Sequence, residues 1–307
     1  MPTYGVVDLG SNTIRLVVFD VRDDHRRTYT GKDFKSLVND KVMAGLAAHV
    51  HEGAFSEDGI ARAIDVLKGH LKRARYFDCK RLDVFATAVL RNCSNSAQAL
   101  AAIEQGAGTG ITLLSAHDEA HLGFVGATCD RAIEQGTLID IGGGSTELTH
   151  IENGRDRDHV SIGQGSLSSY ASFVRAILPT SDEMDAMAHA FEKRLAALPH
   201  PDVYRSPVLY GIGGSVRAAA KMQAQTHRLD ARPKTMTANE IRAILELCRS
   251  DPDAFAHHAL KASAERIHTL APGCLIAGTL MDVLAASRLD LCRYGVREGY
   301  LVERMLG

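Results

Sequence analysis

Two stretches of this chain repeat one pattern: Val7-Asp8-Leu9-Gly10-Ser11-Asn12-Thr13 and Ile139-Asp140-Ile141-Gly142-Gly143-Gly144-Ser145-Thr146. Each is an apolar run, an aspartate, one further apolar residue, and a glycine turn bearing hydroxyls. A second apolar run follows over residues 14–19 in the first copy, and in the second, residues 146–151 alternate like a strand. β-Branched residues on either side of a Gly-containing turn predict strand–turn–strand. Asn153-Gly154 adds a hairpin signal after the second copy. The two aspartates are 132 residues apart in a chain of 307. A pattern recurring at that distance predicts two α/β halves, each opening with the same hairpin.

The rest of the chain fills in those halves. Ser56 opens a helix with Ile60, Ile64, Leu67 and Leu71 at helical spacing. Residues 81–86 read as a strand, and a helix runs from near Asn95 to Gly106. A short strand over 111–114 precedes a helix over 118–127. Helical patterns dominate 168–198. Residues 208–212 form a strand leading into Gly213-Gly214-Ser215 and a helix from Val216. Thr237-Ala238-Asn239-Glu240 is a capping box, with Ile241, Ile244, Leu245 and Cys248 on one face of the helix that it opens. The last 40 residues read as helix, apart from a strand near 289–294. The expected domains are 1–130 and 131–307, with the last helix packing back on the first.

Charge and composition exclude several classes. With 35 Lys+Arg against 37 Asp+Glu the net charge is -2, so a strongly basic nucleic-acid binder is ruled out and no DNA partner is expected. An anionic small substrate is not, because local charge matters more than the sum. No stretch approaches a membrane span, and the first residues lack the pattern of a signal peptide. The six cysteines are scattered singly without a C-x-x-C, which predicts free thiols in a reducing cytoplasm.

The repeated turns point to phosphate. A glycine-rich turn lets backbone N–H groups approach an anion without side chains in the way. Ser11, Thr13, Ser145 and Thr146 could add hydroxyl donors, and Asp8 and Asp140 stand where a hydrated Mg²⁺ could be held. The only Gly-Lys pair, Gly31-Lys32, is followed by Asp33, so no Walker A loop exists. Strands follow the two aspartate-bearing turns, so neither is a dinucleotide fingerprint. The third loop, Gly213-Gly214-Ser215, would place a helix N-terminus at an anion.

This constellation resembles the actin/Hsp70/sugar-kinase superfold, and more specifically the exopolyphosphatase/guanosine pentaphosphate phosphohydrolase family, nearly end to end. The opening motif at 8–13 and the signature Asp140–Leu148 carry most of the resemblance. Thr87-Ala88-Val89-Leu90-Arg91 with Asn95, Asp118-Glu119-Ala120, Ser161 with Gly165, Gly211 to Ser215, and Gly295-Val296-Arg297-Glu298-Gly299 match further motifs. Two places depart. Ala116-His117-Asp118 stands where the family has a Gly and a first Glu, and Lys41–Gly45 replaces an R-L-G-x-G-like stretch. The length matches the short, two-domain members.

The resemblance implies an α/β fold of two ribonuclease-H-like domains flanking a cleft. It implies a cytoplasmic homodimer that hydrolyses a terminal phosphoanhydride with Mg²⁺, Mn²⁺ being the alternative. Polyphosphate is the expected substrate, with guanosine pentaphosphate or tetraphosphate as the rival. The water-activating role falls on Glu119, whose plainer alternative is a favourable carboxylate in a helix first turn. Asp8, Asp140 and Glu147 fall on the metal side, Glu147 facing either the site or solvent. Arg91 would hold a phosphate bidentately or stand solvated at a helix end. Gly10, Ser11, Asn12 and Thr13, with Gly143, Gly144 and Ser145, would form the phosphate cradle. Gly213, Gly214 and Ser215, with Arg217, would form a third wall.

Asn95 has a helix-capping alternative. His117 and His121 share a helix face as zinc ligands do, though solvated histidines are the simpler reading. The basic clusters at 22–27 and 72–75 are solvated faces or a polyanion track, and Cys93 reads as a small buried thiol. Two further readings stay open: a kinase of the same superfold, and a sensor that binds alarmone nucleotides without turnover.

Overall fold

A computed structural model describes residues 1–22, 26 and 28–307. The chain divides into two compact units, Met1–Arg131 with Tyr294–Gly307, and Ala132–Arg293. Most of the basic cluster at 22–27 lies outside the described residues, but Arg26 pairs with Asp33.

The first unit opens as an antiparallel meander, β1 (Thr3–Leu9), β2 (Thr13–Val21) and β3 (Phe34–Met43). A small hairpin, β4 (Val50–His51) and β5 (Ala54–Phe55), leads into α1 (Glu57–Ala74). Ser56 caps α1 by accepting from the Gly59 N–H. The strand β6 (Arg81–Ala86), the helices α2 (Ala88–Arg91) and α3 (Ser96–Ala107), β7 (Thr112–Leu113) and α4 (Ala116–Thr128) follow. The sheet order is β3-β2-β1-β6-β7, with β1–β6 and β6–β7 parallel. Both faces are covered, which is why β1 and β2 are near-continuous apolar runs rather than alternating ones. Val7, Leu9, Ile14 and Leu16 pack with Leu67 and Ile103 on one face, and Val6, Val17 and Phe19 lie in a cluster with Leu122 and Leu301 on the other.

The second unit repeats the plan. β8 (Gln135–Ile141), β9 (Thr146–Glu152) and β10 (Arg155–Ile162) form the meander. Then come α5 (Ser166–Phe173), α6 (Ser181–Ala196), β11 (Val208–Ile212), α7 (Gly213–Thr226), β12 (Thr235–Thr237), α8 (Ala238–Ser250), α9 (Pro252–Ser263), α10 (Ile267–Val283) and β13 (Arg288–Leu291). The sheet order is β10-β9-β8-β11-β13-β12, with β8–β11 and β11–β13 parallel. The helical patterns over 168–198 form two helices, α5 and α6. Pro179 lies in the break, and Thr180 starts the second helix with its own capping box. The capping box at Thr237 and Glu240 is in place. α10 is buried almost all round, so its sequence lacks a polar face.

The chain then returns to the first unit as α11 (Val296–Tyr300), extended by a π-helical turn over Leu301–Met305. Glycines let α11 lie on α4. A Cβ on Gly126 would overlap the Gly295 carbonyl, and one on Gly299 would overlap the Leu122 carbonyl. All six cysteines are free. Burial pushes Cys129 and Cys274 up to about 12, so neither is a thiolate at neutral pH. Among the described residues no helix is long and apolar enough to cross a membrane.

Candidate functional site

The two repeated turns close with the same hydrogen bond. Gly10 N–H donates to Thr13 C=O at 3.1 Å, and Gly142 N–H donates to Ser145 C=O at 2.9 Å. In each, neighbouring backbone takes the turn's carbonyls. In the first unit, Ala47 N–H reaches Ser11 C=O at 2.8 Å and Gly45 N–H reaches Asn12 C=O at 3.0 Å. Gly45 is left-handed, at φ 63°, as the residue before the 3-10 turn Leu46–His49. The segment that departs from the family pattern thus keeps the one residue whose backbone conformation the turn needs.

In the second unit, Ser166 N–H reaches Gly142 C=O, and Leu167 and Ser168 N–H reach Gly143 C=O, all at 2.9 Å. A trans peptide points its N–H away from its C=O. The N–H groups of Gly143 and Gly144 are therefore turned away from α5, and Ser168 Oγ, 3.3 Å from Gly144 C=O, lies on the side opposite the Ser145 N–H; none of the three N–H groups donates to another group among the described residues. Such an arrangement can serve as a backbone anion cradle.

Two of the expected hydroxyl donors are engaged elsewhere. Ser145 Oγ donates to Glu147 Oε1 at 2.6 Å, and Thr146 Oγ1 donates to Gln164 C=O at 2.8 Å. Each hydroxyl has one proton to give, so at these positions a phosphate would meet backbone. Ser215 is similar, its Oγ donating to Ile141 C=O at 2.9 Å.

The acids divide between the units. Asp8, at the end of β1, accepts from Arg297 at 2.7 Å. In the second unit, strand register places Asp140 directly opposite Glu147, and Glu147 opposite Ser161, so the three share one sheet face. Glu147 is buried rather than solvent-facing, at 3% exposure, and accepts from Ser161 Oγ at 2.8 Å as well as from Ser145. Among the described residues no three His, Cys, Asp or Glu groups could hold a metal ion together. A carboxylate pair on one face fits Mg²⁺, which takes one or two protein carboxylates and completes its shell with water and phosphate oxygens. Asp140 and Glu147 make that pair.

Glu119 lies in the first turn of α4, whose N-cap Ser115 accepts from Asp118 N–H at 3.0 Å. The Glu119 carboxylate is held by Arg91 at 2.8 Å, and Arg91 also donates to Leu114 C=O at 3.0 Å. Both side chains are mostly buried, so Arg91 is no solvated helix-end arginine. Asp118, at the departure from the family pattern, accepts from Ser115 Oγ at 2.6 Å and pairs with Arg304 at 2.7 Å. The serine bond, then Arg304, holds its carboxyl below the usual range. That position serves the helix end, and Glu119 keeps its place beside Arg91. His121 pairs with Glu303 at 2.6 Å. Asn95 is not a side-chain cap; its amide bonds both the N–H and the C=O of Phe55, at 2.8 and 2.9 Å. Cys93 is buried and donates to Val89 C=O.

The third glycine loop is the first turn of α7, which begins at Gly213. Gly213 has φ 87°, and a Cβ there would overlap Asp140 Oδ1. A Cβ on Gly214 would overlap the Arg266 guanidinium. The helix N-terminus, the Asp140 carboxylate and Arg266 are thus stacked together. Burial lowers the pKa of Arg266, against the pull of Glu265 and Asp140. Arg217, one turn on, donates to Arg293 C=O at 3.2 Å. Arg266 and Arg297 have no assigned role in the sequence reading. Arg297 lies inside a quoted motif, but Arg266 stands in a helical stretch with no local signal.

The pattern of the Ppx/GppA phosphatase family matches residues 17–307. Exopolyphosphatase 1 of Mycobacterium bovis is 25% identical over 316 residues, covering 98% of this chain and 88% of that protein. The Mycobacterium leprae protein of the same name is 24% identical, covering 98% and 89%. Among solved structures, an exopolyphosphatase from Cytophaga hutchinsonii has a TM-score of 0.83 at 20% identity, covering 99% of this chain and 97% of its own. The Aquifex aeolicus Ppx/GppA family member has a TM-score of 0.76 at 20% identity, covering 99% and 98%. These likenesses establish the fold that the chain shares with those proteins, α/β with a sheet in each unit. With the family pattern spanning nearly the whole sequence, the chain belongs to the Ppx/GppA phosphatase family.

Proposed function

We propose that this phosphatase-family enzyme releases terminal orthophosphate from inorganic polyphosphate. The observation that carries the reading is the cradle of Gly143, Gly144 and Ser145 N–H groups beside the Asp140–Glu147 pair. Donors fixed before the substrate arrives stabilise charge at no reorganisation cost. The mycobacterial relatives named exopolyphosphatase support the choice of substrate. Phosphoryl transfer needs positioning and charge neutralisation more than covalent chemistry.

Glu119, oriented by Arg91, positions a water and takes its proton as the water oxygen bonds to the terminal phosphorus. The bond from that phosphorus to the bridging oxygen breaks, and the shortened chain leaves with the electron pair. Asp140 and Glu147 would hold Mg²⁺ or Mn²⁺, which neutralises phosphate oxygens when bound. The turn at 10–13 and the Gly213–Ser215 helix start offer further backbone donors, with Arg266 a further cation. Asp8 keeps Arg297 in place. A cytoplasmic homodimer completes the reading, and sedimentation of the purified protein tests its assembly.

The test is phosphate release from long-chain polyphosphate and from guanosine pentaphosphate, side by side, with Mg²⁺ and with EDTA. Release from polyphosphate that EDTA abolishes is the expected result. Glu119→Ala should lower kcat by about 10²–10⁴-fold. A loss under tenfold sinks this mechanism. Preferential release from the nucleotide would transfer the same chemistry to guanosine pentaphosphate, and tight nucleotide binding without release would make the chain a sensor.

A further inference from the structure

We infer that Ser166 and Ser215 are positioning residues that aim the phosphate cradle; the inference rests on the cradle reading above. Both serines are buried, at 1% and 4% exposure, and neither hydroxyl faces solvent or the opposite side of the turn. Each is aimed at a turn carbonyl. Ser166 Oγ donates to Gly142 C=O at 3.0 Å, beside the Ser166 N–H already there. Ser215 Oγ donates to Ile141 C=O at 2.9 Å and lies 3.3 Å from Ser166 Oγ. Ser168 Oγ reaches Gly144 C=O at 3.3 Å.

The carbonyls of Ile141, Gly142 and Gly143 are therefore held by α5 or by the first turn of α7, and Ser168 Oγ shares its one proton between Gly144 C=O and Gly165 C=O, each at 3.3 Å. That grip decides which way the N–H groups point. Four peptides in a glycine-rich turn have several accessible orientations, and a flip of one would replace a donor by an acceptor at the phosphate. Close approach enforces the arrangement. A Cβ on Gly165 would come within 2.7 Å of the Gly142 oxygen and of the Gly143 carbonyl. The α5 start thus presses on the back of the turn, and the serines fix it there.

These contacts act through the cradle and not on substrate, so their effect should follow the charge that builds in the transition state. Removing one oxyanion donor outright costs about 10²–10³-fold in kcat. Loosening its aim should cost about tenfold, with KM changed less than about twofold. The experiment is kcat and KM on polyphosphate, with Tm, for Ser166→Ala, Ser215→Ala, the double variant and Ser166→Thr, which keeps the hydroxyl. The expected result is lowered kcat in both alanine variants, little change in KM, and recovery in Ser166→Thr.

Folded alanine variants with wild-type kcat overturn the inference, as does a fall in Tm alone. Should Ser166→Ala not fold, Ser168→Ala, at a half-buried position, carries the same reading. If the wild type releases no phosphate from polyphosphate or guanosine pentaphosphate, the function above fails on its own. The serines are then read by calorimetric affinity for orthovanadate, which takes up the five-coordinate geometry of the transition state; wild-type affinity in the alanine variants overturns the inference and about tenfold weaker binding upholds it.

Discussion

His70 shows how much one buried side chain can govern. It is fully buried on α1, with Nε2 3.1 Å from Ile14 C=O and Nδ1 3.5 Å from Asp40, which also pairs with Arg73. Burial lowers its pKa below 6.5, against the pull of Ile14 and Asp40. The unfolded chain therefore takes this proton at a higher pH than the folded one. Stability from this group is full above about 6.5 and falls as pH drops through that value. His70→Gln should show a smaller fall in Tm between pH 6.5 and 5 than the wild type, read by calorimetry. His268, lowered by burial and by Arg266, should leave a residual slope. Equal slopes in both proteins would remove His70 from the account.

At the scale of elements, glycines mark two different kinds of contact. On α4, Gly126 meets the Gly295 backbone, which cannot move without shifting α11 and the Arg297 that it carries to Asp8. Gly126→Ala should therefore cost about 1–3 kcal/mol or more, measured by denaturant unfolding. On α7, Gly214 meets only the flexible end of Arg266. Gly214→Ala should change stability by less than about 1 kcal/mol while displacing the guanidinium, so activity should fall about tenfold. Loss of stability without loss of activity would place Arg266 outside the site. The small hairpin β4–β5 is fixed by Asn95, a residue whose sequence context suggests a cap.

For the whole molecule, the charge balance matters less than where charges lie. The net charge is -2, yet Arg91, Arg266 and Arg297 each stand beside one of the anionic or glycine positions described. Binding of a polyanion should weaken with ionic strength, so KM for polyphosphate should rise between 50 and 300 mM salt, roughly following Debye screening. Binding should also stabilise the fold by mass action. Tm should rise with polyphosphate and Mg²⁺ together, and Asp140→Asn should abolish the increment that depends on Mg²⁺. An unchanged increment would move the metal away from Asp140.

Much of this molecule was legible in the order of its residues. The two hairpins, the caps at Ser56 and Thr237, and the strands leading into each glycine turn follow from backbone and neighbour chemistry, which local sequence specifies. The helical patterns over 168–198 are legible as such, and Pro179 and Thr180 mark the break between the two helices there. The glycine turns were visible as loops, but not that Ser145, Thr146 and Ser215 direct their hydroxyls inward, because their acceptors lie on other elements. Arg297 meets Asp8 across 289 residues, and Arg266 meets Gly214 through a helix start and a 3-10 turn. Local sequence thus determined which turns could receive a phosphate. Packing between distant segments decided which way their peptides face and which cations stand beside them, because a hydrogen bond's direction depends on where its partner is held.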